Sequence, residues 1–600
     1  LFHIKFFKFQ IHIKIIRFLN YNIIRKNKLN IIISSTIKLM MDFNYKKNEN
    51  NGLFKNFENI NLTNIKKSQN YIPIYNSFFK LNDNNFNSIN LNNINQITEL
   101  NKMETNQIFD CTIINKEKIG KTKTFIKFSP LLDPIKFLTG KYKDTDITLL
   151  PKINNNNCHE KLLDKNNSAY VDSFFSFLSS SLLHNENFVN SIDFYGSFLG
   201  IKHIFQYNVF DDLEYLYKSK YFNENKEILY KINEDDIEIY GNFLNSKCNR
   251  KKLKINDDNV TLELNSLNDF NIFQINNNNS DCSLNLIFNT NKKCESKKTN
   301  STSSTCSSRS SHSDESDEEE GDEEEGDDEE YEEDEEEYEE DEEDLDEEEY
   351  EEEDEEEDEN LACEIFDFPV QMICLEKLEN TFDSLLDCEE RLSTNELKAM
   401  FLQIIFTLVV FQKCFKFTHN DLHTNNIMYI PTEKQYIYYR YNKKIYKVPT
   451  YGKIFKIIDF GRAIYSYNGT QICSDSFHPN GDAATQFNFG VYYNEKKKLV
   501  EPNYSFDLCR LGCSLYDYYI EDLDDEIDDP VIQLISDWIH DDNGKNILYK
   551  QNGEERYPEF KLYKMITRTV HNHTPDKQLE NKIFQDFVVK KKKLKKKTKI

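Results

Sequence analysis

Apolar and polar residues along this chain fall into short patterned blocks that predict the elements of a folded core. Residues 108–114 and 123–128 read as strands, with a turn over 115–121 between them. Residues 167–183 read as a helix in which Asp172 sits beside the apolar stripe of Phe175 and Leu178. Residues 187–198 lead into a further strand, and 370–375 form an apolar strand that runs into Glu376, Lys377, Leu378 and Glu379. Ser393 and Glu396 have the spacing of a capping box. Behind them, 397–415 are apolar nearly all round, which predicts a buried helix. From 431 to 452, Tyr and Ile alternate with Lys, the pattern of an extended hairpin. No run is expected to cross a membrane.

Between these blocks the texture changes. Residues 41–101 are rich in Asn, Lys, Ile and Phe with little periodicity, and read as a linker or weakly ordered extension. Residues 206–365 read as a long insertion, opening with a helical stretch over 210–216. Its later part, 314–359, is almost wholly Asp and Glu and cannot bury a core. That block explains most of the net charge of −30, so the charge says little about the folded part. It also offers a surface for basic partners, and Ser313 and Ser316, with acids following, suit an acid-directed kinase. The Lys-rich run from Lys590 to Lys597 reads as a solvated tail, a nuclear-import or nucleic-acid-contacting tail, or a partner for the acidic block.

Thirteen cysteines without a C-x-x-C pair or zinc spacing point to a reducing, intracellular setting and to no structural metal. The chain begins with Leu, and its first methionines are Met40 and Met41. Residues 1–39 read as lying upstream of the start, and basic residues interrupt them too often for a secretion signal.

The chemistry concentrates between Thr418 and Gly461. That stretch reads T-H-N-D-L-H-T-N-N, then a polar interruption, then I-I-D-F-G-R. Asp421 and Asn426 stand close enough for one short loop to aim both at the same point, and Asp459 can reach it from a neighbouring strand. One carboxylate to orient an acceptor hydroxyl, with an Asn and a second carboxylate for Mg²⁺, is the equipment of phosphoryl transfer.

This stretch resembles the catalytic loop and metal-binding D-F-G of the protein kinase superfamily. G-D-A-A-T-Q and P-N-Y-S-F-D-L-C-R-L-G give it the texture of kinase-like chains of large DNA viruses. The resemblance covers about 107–200 and 366–588. It implies an α+β, two-lobed fold and ATP- and Mg²⁺-dependent transfer to Ser or Thr of a protein substrate. A small lobe would comprise 106–205, completed by the strand and hinge at 366–390, with a helical catalytic lobe over 391–588. Residues 1–105 would be an N-terminal extension and 589–600 a basic tail.

Carried onto this sequence, the resemblance makes Asp421 the catalytic carboxylate and makes Asn426 and Asp459 the metal ligands. Lys127, in T-F-I-K, would grip phosphates and pair with Asp172. Backbone groups at Glu376 and Leu378 would meet adenine. Asp507 would anchor the catalytic loop, and 474–488 would take the place of the activation segment.

Three departures shape the expectations. No glycine lies between Gly52 and Gly120, where the family has a Gly-rich phosphate loop. Asn420 replaces the Arg that receives a phosphorylated activation segment, so gating of that kind is not expected. His423 stands where Ser/Thr kinases have a lysine, and H-N-D-L-H also resembles aminoglycoside- and choline-type kinases. A small-molecule kinase, and a binding module with weak or no catalysis, remain the rival readings.

Overall fold

The computed structural model describes residues 44–154, 157–232, 361–387, 392–520 and 527–590, with backbone alone at 30–33. Residues 1–29, the acidic run 314–359 with Ser313 and Ser316, and the tail beyond Lys590 lie outside the described residues. The architecture is mixed α+β: a curled antiparallel sheet with one long helix against it, followed by a mainly helical part.

The sheet runs, in spatial order, Ile65–Gln69, Phe194–Asn208, Ala362–Glu376, Lys118–Pro130, Ile108–Asn115 and Asn95–Met103, and Tyr230–Ile232 adds to Ala362–Glu376. Alternating burial from Thr124 to Phe128 reflects the period-two pattern read from sequence. The turn predicted over 115–121 is tighter than expected. Asn115 pairs with Lys118, and Lys116 and Glu117 reverse the chain with φ of 45° and 84°, the left-handed geometry that matches strand twist. The strand expected from about residue 366 begins at Ala362, because its first residues pair with the far end of Phe194–Asn208.

The extension expected at 41–101 is instead part of the fold. Helix Asn51–Phe57 buries Leu53 and Phe57, and Ile65, Ile89, Leu91, Ile97 and Leu100 are buried as well. Asn supplies the missing order. Asn70 accepts from Asn50 Nδ2 at 2.6 Å and donates to the carbonyls of Asn48 at 3.1 Å and Asn87 at 2.6 Å. Asn87 Oδ1 in turn accepts from the amides of Asn70 and Tyr71. Side-chain amides thus satisfy backbone groups that no regular element satisfies.

Helix Ser168–Asn185 lies against the sheet, capped by Asn167, whose side chain accepts from the Ala169 amide. Helix Thr394–Phe415 carries the expected capping box and is buried along nearly its whole length. Contrary to expectation, it is long and apolar enough by composition to cross a membrane; 83% of that window is buried inside the protein. The hairpin predicted between 431 and 452 forms from Tyr436–Tyr441 and Lys444–Pro449. It packs on that helix, with Tyr439 stacked on Phe406 at 4.2 Å.

Candidate active site

The loop carrying Asp421 is fixed from beneath. Asp507, fully buried near the start of helix Phe506–Tyr519, accepts from the His419 amide at 2.9 Å and the Asn420 amide at 2.9 Å. Two backbone donors on one buried carboxylate leave the loop little freedom. His419 Nε2 lies 2.9 Å from the Ile458 carbonyl, and Thr418 and Ile464 exchange backbone hydrogen bonds, so the loop is also joined to the D-F-G strand. Asn420 has φ of 66°, a left-handed conformation that Asn tolerates, and its Nδ2 donates to the Arg462 carbonyl at 2.9 Å.

Lys127 stands between two carboxylates, 2.8 Å from Asp172 and 2.7 Å from Asp459. Burial disfavours its ammonium, but Asp172 and then Asp459 reverse that and hold it charged above the ordinary lysine value. Burial likewise works against the Asp459 carboxylate, and Lys127 overrides it, leaving Asp459 below the usual carboxylate range. Asp172, more deeply buried, is pushed up by burial, with Lys127 opposing.

Asp is one methylene shorter than the Glu the family resemblance implies at this position. Helix Ser168–Asn185 packs directly on D-F-G. The Phe460 amide donates to Asp172 at 3.1 Å, and the Phe175 ring lies 4.7 Å from that of Phe460.

Asp421 is almost fully buried. Burial would raise its pKa, but Arg462, then His423 and Arg510, hold the carboxylate below its ordinary range. Its Oδ1 accepts from the Tyr563 hydroxyl at 2.9 Å and lies 3.8 Å from Arg462. Asn426 Nδ2 donates to the Asp421 carbonyl at 2.8 Å and approaches His423 Nε2 at 3.1 Å. Both contacts use the amide nitrogen of Asn426. Burial lowers the His423 pKa, so this imidazole is neutral at pH 7.

Lys127, Asp172, Asp421 and Asp459 share one cleft of about 1740 Å³, together with Gly461 and Arg462. The turn after Asn95–Met103 forms part of its wall. There, the Glu104 amide donates to the Ile108 carbonyl, and Thr105 Oγ1 accepts from the Ile108 amide at 3.0 Å. These amides are engaged within the turn, so it offers less to a phosphate than a glycine loop does.

Asn426, His423, Glu376 and Leu378 do not line this cleft. Glu376 Oε1 accepts from the Asp193 amide at 2.7 Å and is ion-paired with the buried Lys456. Its own amide donates to the Asp193 carbonyl, and Thr124 donates to the Leu375 carbonyl. Leu378 is buried. The Glu376 amide, expected to meet a base, is thus taken up by Asp193.

Sequence reasoning missed Arg462, Arg510 and Tyr563. Arg462 follows D-F-G directly and reaches Asp482 at 2.6 Å, a carboxylate in the 474–488 segment. Its position directly after D-F-G was the one signal the sequence offered. Tyr563 is 142 residues from Asp421 and carries no local signal.

Comparison with known proteins gives a partial likeness. No family model matches the chain. A protein of Acanthamoeba polyphaga mimivirus named "Putative serine/threonine-protein kinase R301" is 33% identical over 106 residues, 17% of this chain and 27% of that protein. The match thus spans about a quarter of the length of that curated relative. The likeness is kinase-like and confined to the matched portion.

Proposed function

We propose that this chain is an ATP- and Mg²⁺-dependent kinase with a two-lobed fold, transferring phosphate to Ser or Thr of protein substrates. One observation carries the reading. Lys127 bridges Asp172 and Asp459 in the same cleft as Asp421, on a loop fixed by Asp507. The partial likeness to a mimivirus protein named as a kinase agrees with it. On this reading, residues 44–105 join the sheet-bearing lobe, 391–588 form the catalytic lobe, and the protein works inside the cell.

Mg²⁺ takes hard oxygen ligands, and on this reading the Asp459 carboxylate and Asn426 Oδ1 would supply them. When bound, the ion neutralises charge on the phosphates. On this reading Lys127 meets phosphate oxygens. Asp421 orients the acceptor hydroxyl. The hydroxyl oxygen bonds to the γ-phosphorus as the bond to the β-phosphate oxygen breaks, leaving ADP, and the hydroxyl proton passes by way of Asp421 to solvent. The protein's contribution is positioning and charge.

A binding module with weak catalysis is the second reading, favoured by the internally bonded turn at 104–107 and by the engaged backbone at Glu376. Transfer of labelled phosphate from ATP decides between them. Label on Ser or Thr of a mixed protein acceptor supports the first reading. Label only on aminoglycosides or choline moves the acceptor class to small molecules. No transfer to either leaves the binding module.

A further inference from the structure

His423 leaves the catalytic loop without the lysine charge that Ser/Thr kinases place two residues after the catalytic carboxylate. The structure puts other charge there. Arg510, on helix Phe506–Tyr519, donates through Nε to the Tyr563 hydroxyl at 2.9 Å. Tyr563, on helix Phe560–Thr569, donates that hydroxyl to Asp421 Oδ1 at 2.9 Å. A phenol has one proton to give. With Arg510 supplying a donor from one side, the proton points to Asp421, and the two hydrogen bonds reinforce each other.

Both guanidinium groups also flank the phenol ring, Arg510 at 5.2 Å and Arg462 at 5.8 Å from its centroid. Tyr563 is buried, so little water competes for these contacts. It comes from a helix with no part in the loop itself.

We infer that Arg510 and Tyr563 form a positioning relay for Asp421, standing in for the missing loop lysine. Tyr563 holds Oδ1 and fixes the rotation of the carboxylate, so that Oδ2 is the oxygen presented to the acceptor hydroxyl. Arg510 fixes the direction of the phenol proton. Neither residue touches substrate. The inference rests on the kinase reading and adds to it a part that no local sequence pattern announces.

The test is steady-state kinetics on the full chain with Tyr563→Phe, Arg510→Lys and the double variant, alongside Mg-ATP binding and Tm. Tyr563→Phe is expected to lower kcat by roughly tenfold to a hundredfold, the worth of one hydrogen bond to a charged group. Nucleotide KM and Kd should stay within about twofold, because the relay acts only on Asp421. Arg510→Lys keeps the charge but not the Nε donor. It is expected to lower kcat in the wild-type background and to add almost nothing to Tyr563→Phe.

Additive losses, or a fall in kcat that travels with nucleotide affinity and Tm, overturn the relay. So does an unchanged kcat in Tyr563→Phe beside an active wild type, and that result leaves the kinase reading standing. A wild type with no phosphoryl transfer overturns the kinase reading and this inference with it.

Discussion

Asp475 accepts the backbone amide of Ser168 at 2.8 Å across 307 residues of chain. Ser168 is the first residue of the helix that carries Asp172. Asp475 also pairs with Lys161 at 3.1 Å, and its own amide donates to the Asn166 carbonyl at 2.7 Å. A carboxylate at a helix N-terminus meets unsatisfied amides and the positive end of the helix dipole. The segment after D-F-G is thereby tied to the helix that positions Lys127. Gly481 lets this segment fold back closely: a Cβ there would sit 2.3 Å from the Ser476 carbonyl oxygen.

Asp475→Ala should loosen both the segment and the helix start. The expected loss is about 1–2 kcal/mol of stability, since an amide and a lysine both lose their acceptor. Denaturant unfolding measures it, and hydrogen exchange should quicken at both 166–170 and 474–484. Faster exchange at the segment alone would show that the tie does not reach the helix.

The Arg462–Asp482 pair gives a pH dependence. Burial raises Asp482, but Arg462 overrides it and holds the carboxyl below its ordinary value. A depressed carboxyl stabilises the fold above its unfolded pKa, about 4, and that contribution is lost as pH falls through the folded value. Exchange at 476–484, corrected for the intrinsic rate at each pH, should therefore accelerate below about pH 4 in the wild type. In Asp482→Asn it should already be fast at neutral pH and depend less on acid. Identical pH profiles in the two proteins would contradict the pairing.

Asp172→Ala removes one of the two partners of Lys127 and leaves the Phe460 amide without its acceptor. The expected cost is about 1.5–3 kcal/mol. Asp172→Glu should not be neutral either. With Asp172 only 3% exposed, the extra methylene overpacks a gap that the helix has closed, at about 1–3 kcal/mol. Calorimetric Tm values check both, and a stabilised Glu variant would show that the helix can step back.

Asn70→Ala tests whether the N-terminal part belongs to the fold. Asn70 is 1% exposed and makes four hydrogen bonds, three of them through its side chain. Its loss should cost about 2–3 kcal/mol, from lost bonds and buried groups left unsatisfied. A single cooperative transition, shifted as a whole, is expected. Melting of an early, separate phase would mean that this part folds on its own.

What could be read from sequence follows from how local each signal is. The capping box at Ser393 and Glu396, the strand over 123–128 that holds Lys127 and the hairpin after Pro431 are set by residues within a few positions of one another, and each formed, the strand extended to Lys118–Pro130. Asp507 was legible through the family resemblance of the motif it stands in. The Asn-rich stretch before residue 101 misled because Asn lowers periodicity, yet here its side chains supply the turns. Tyr563 and the Glu376–Lys456 pair are tertiary contacts between distant segments, and no window along the chain contains both partners.

Mg-nucleotide binding by isothermal titration calorimetry, in wild type, Asp459→Ala and Asp421→Ala, bears most directly on the whole account. The account predicts binding in the wild type, loss of Mg-ATP binding in Asp459→Ala, and retained binding without turnover in Asp421→Ala. Equal binding in all three, or none in the folded wild type, would contradict it.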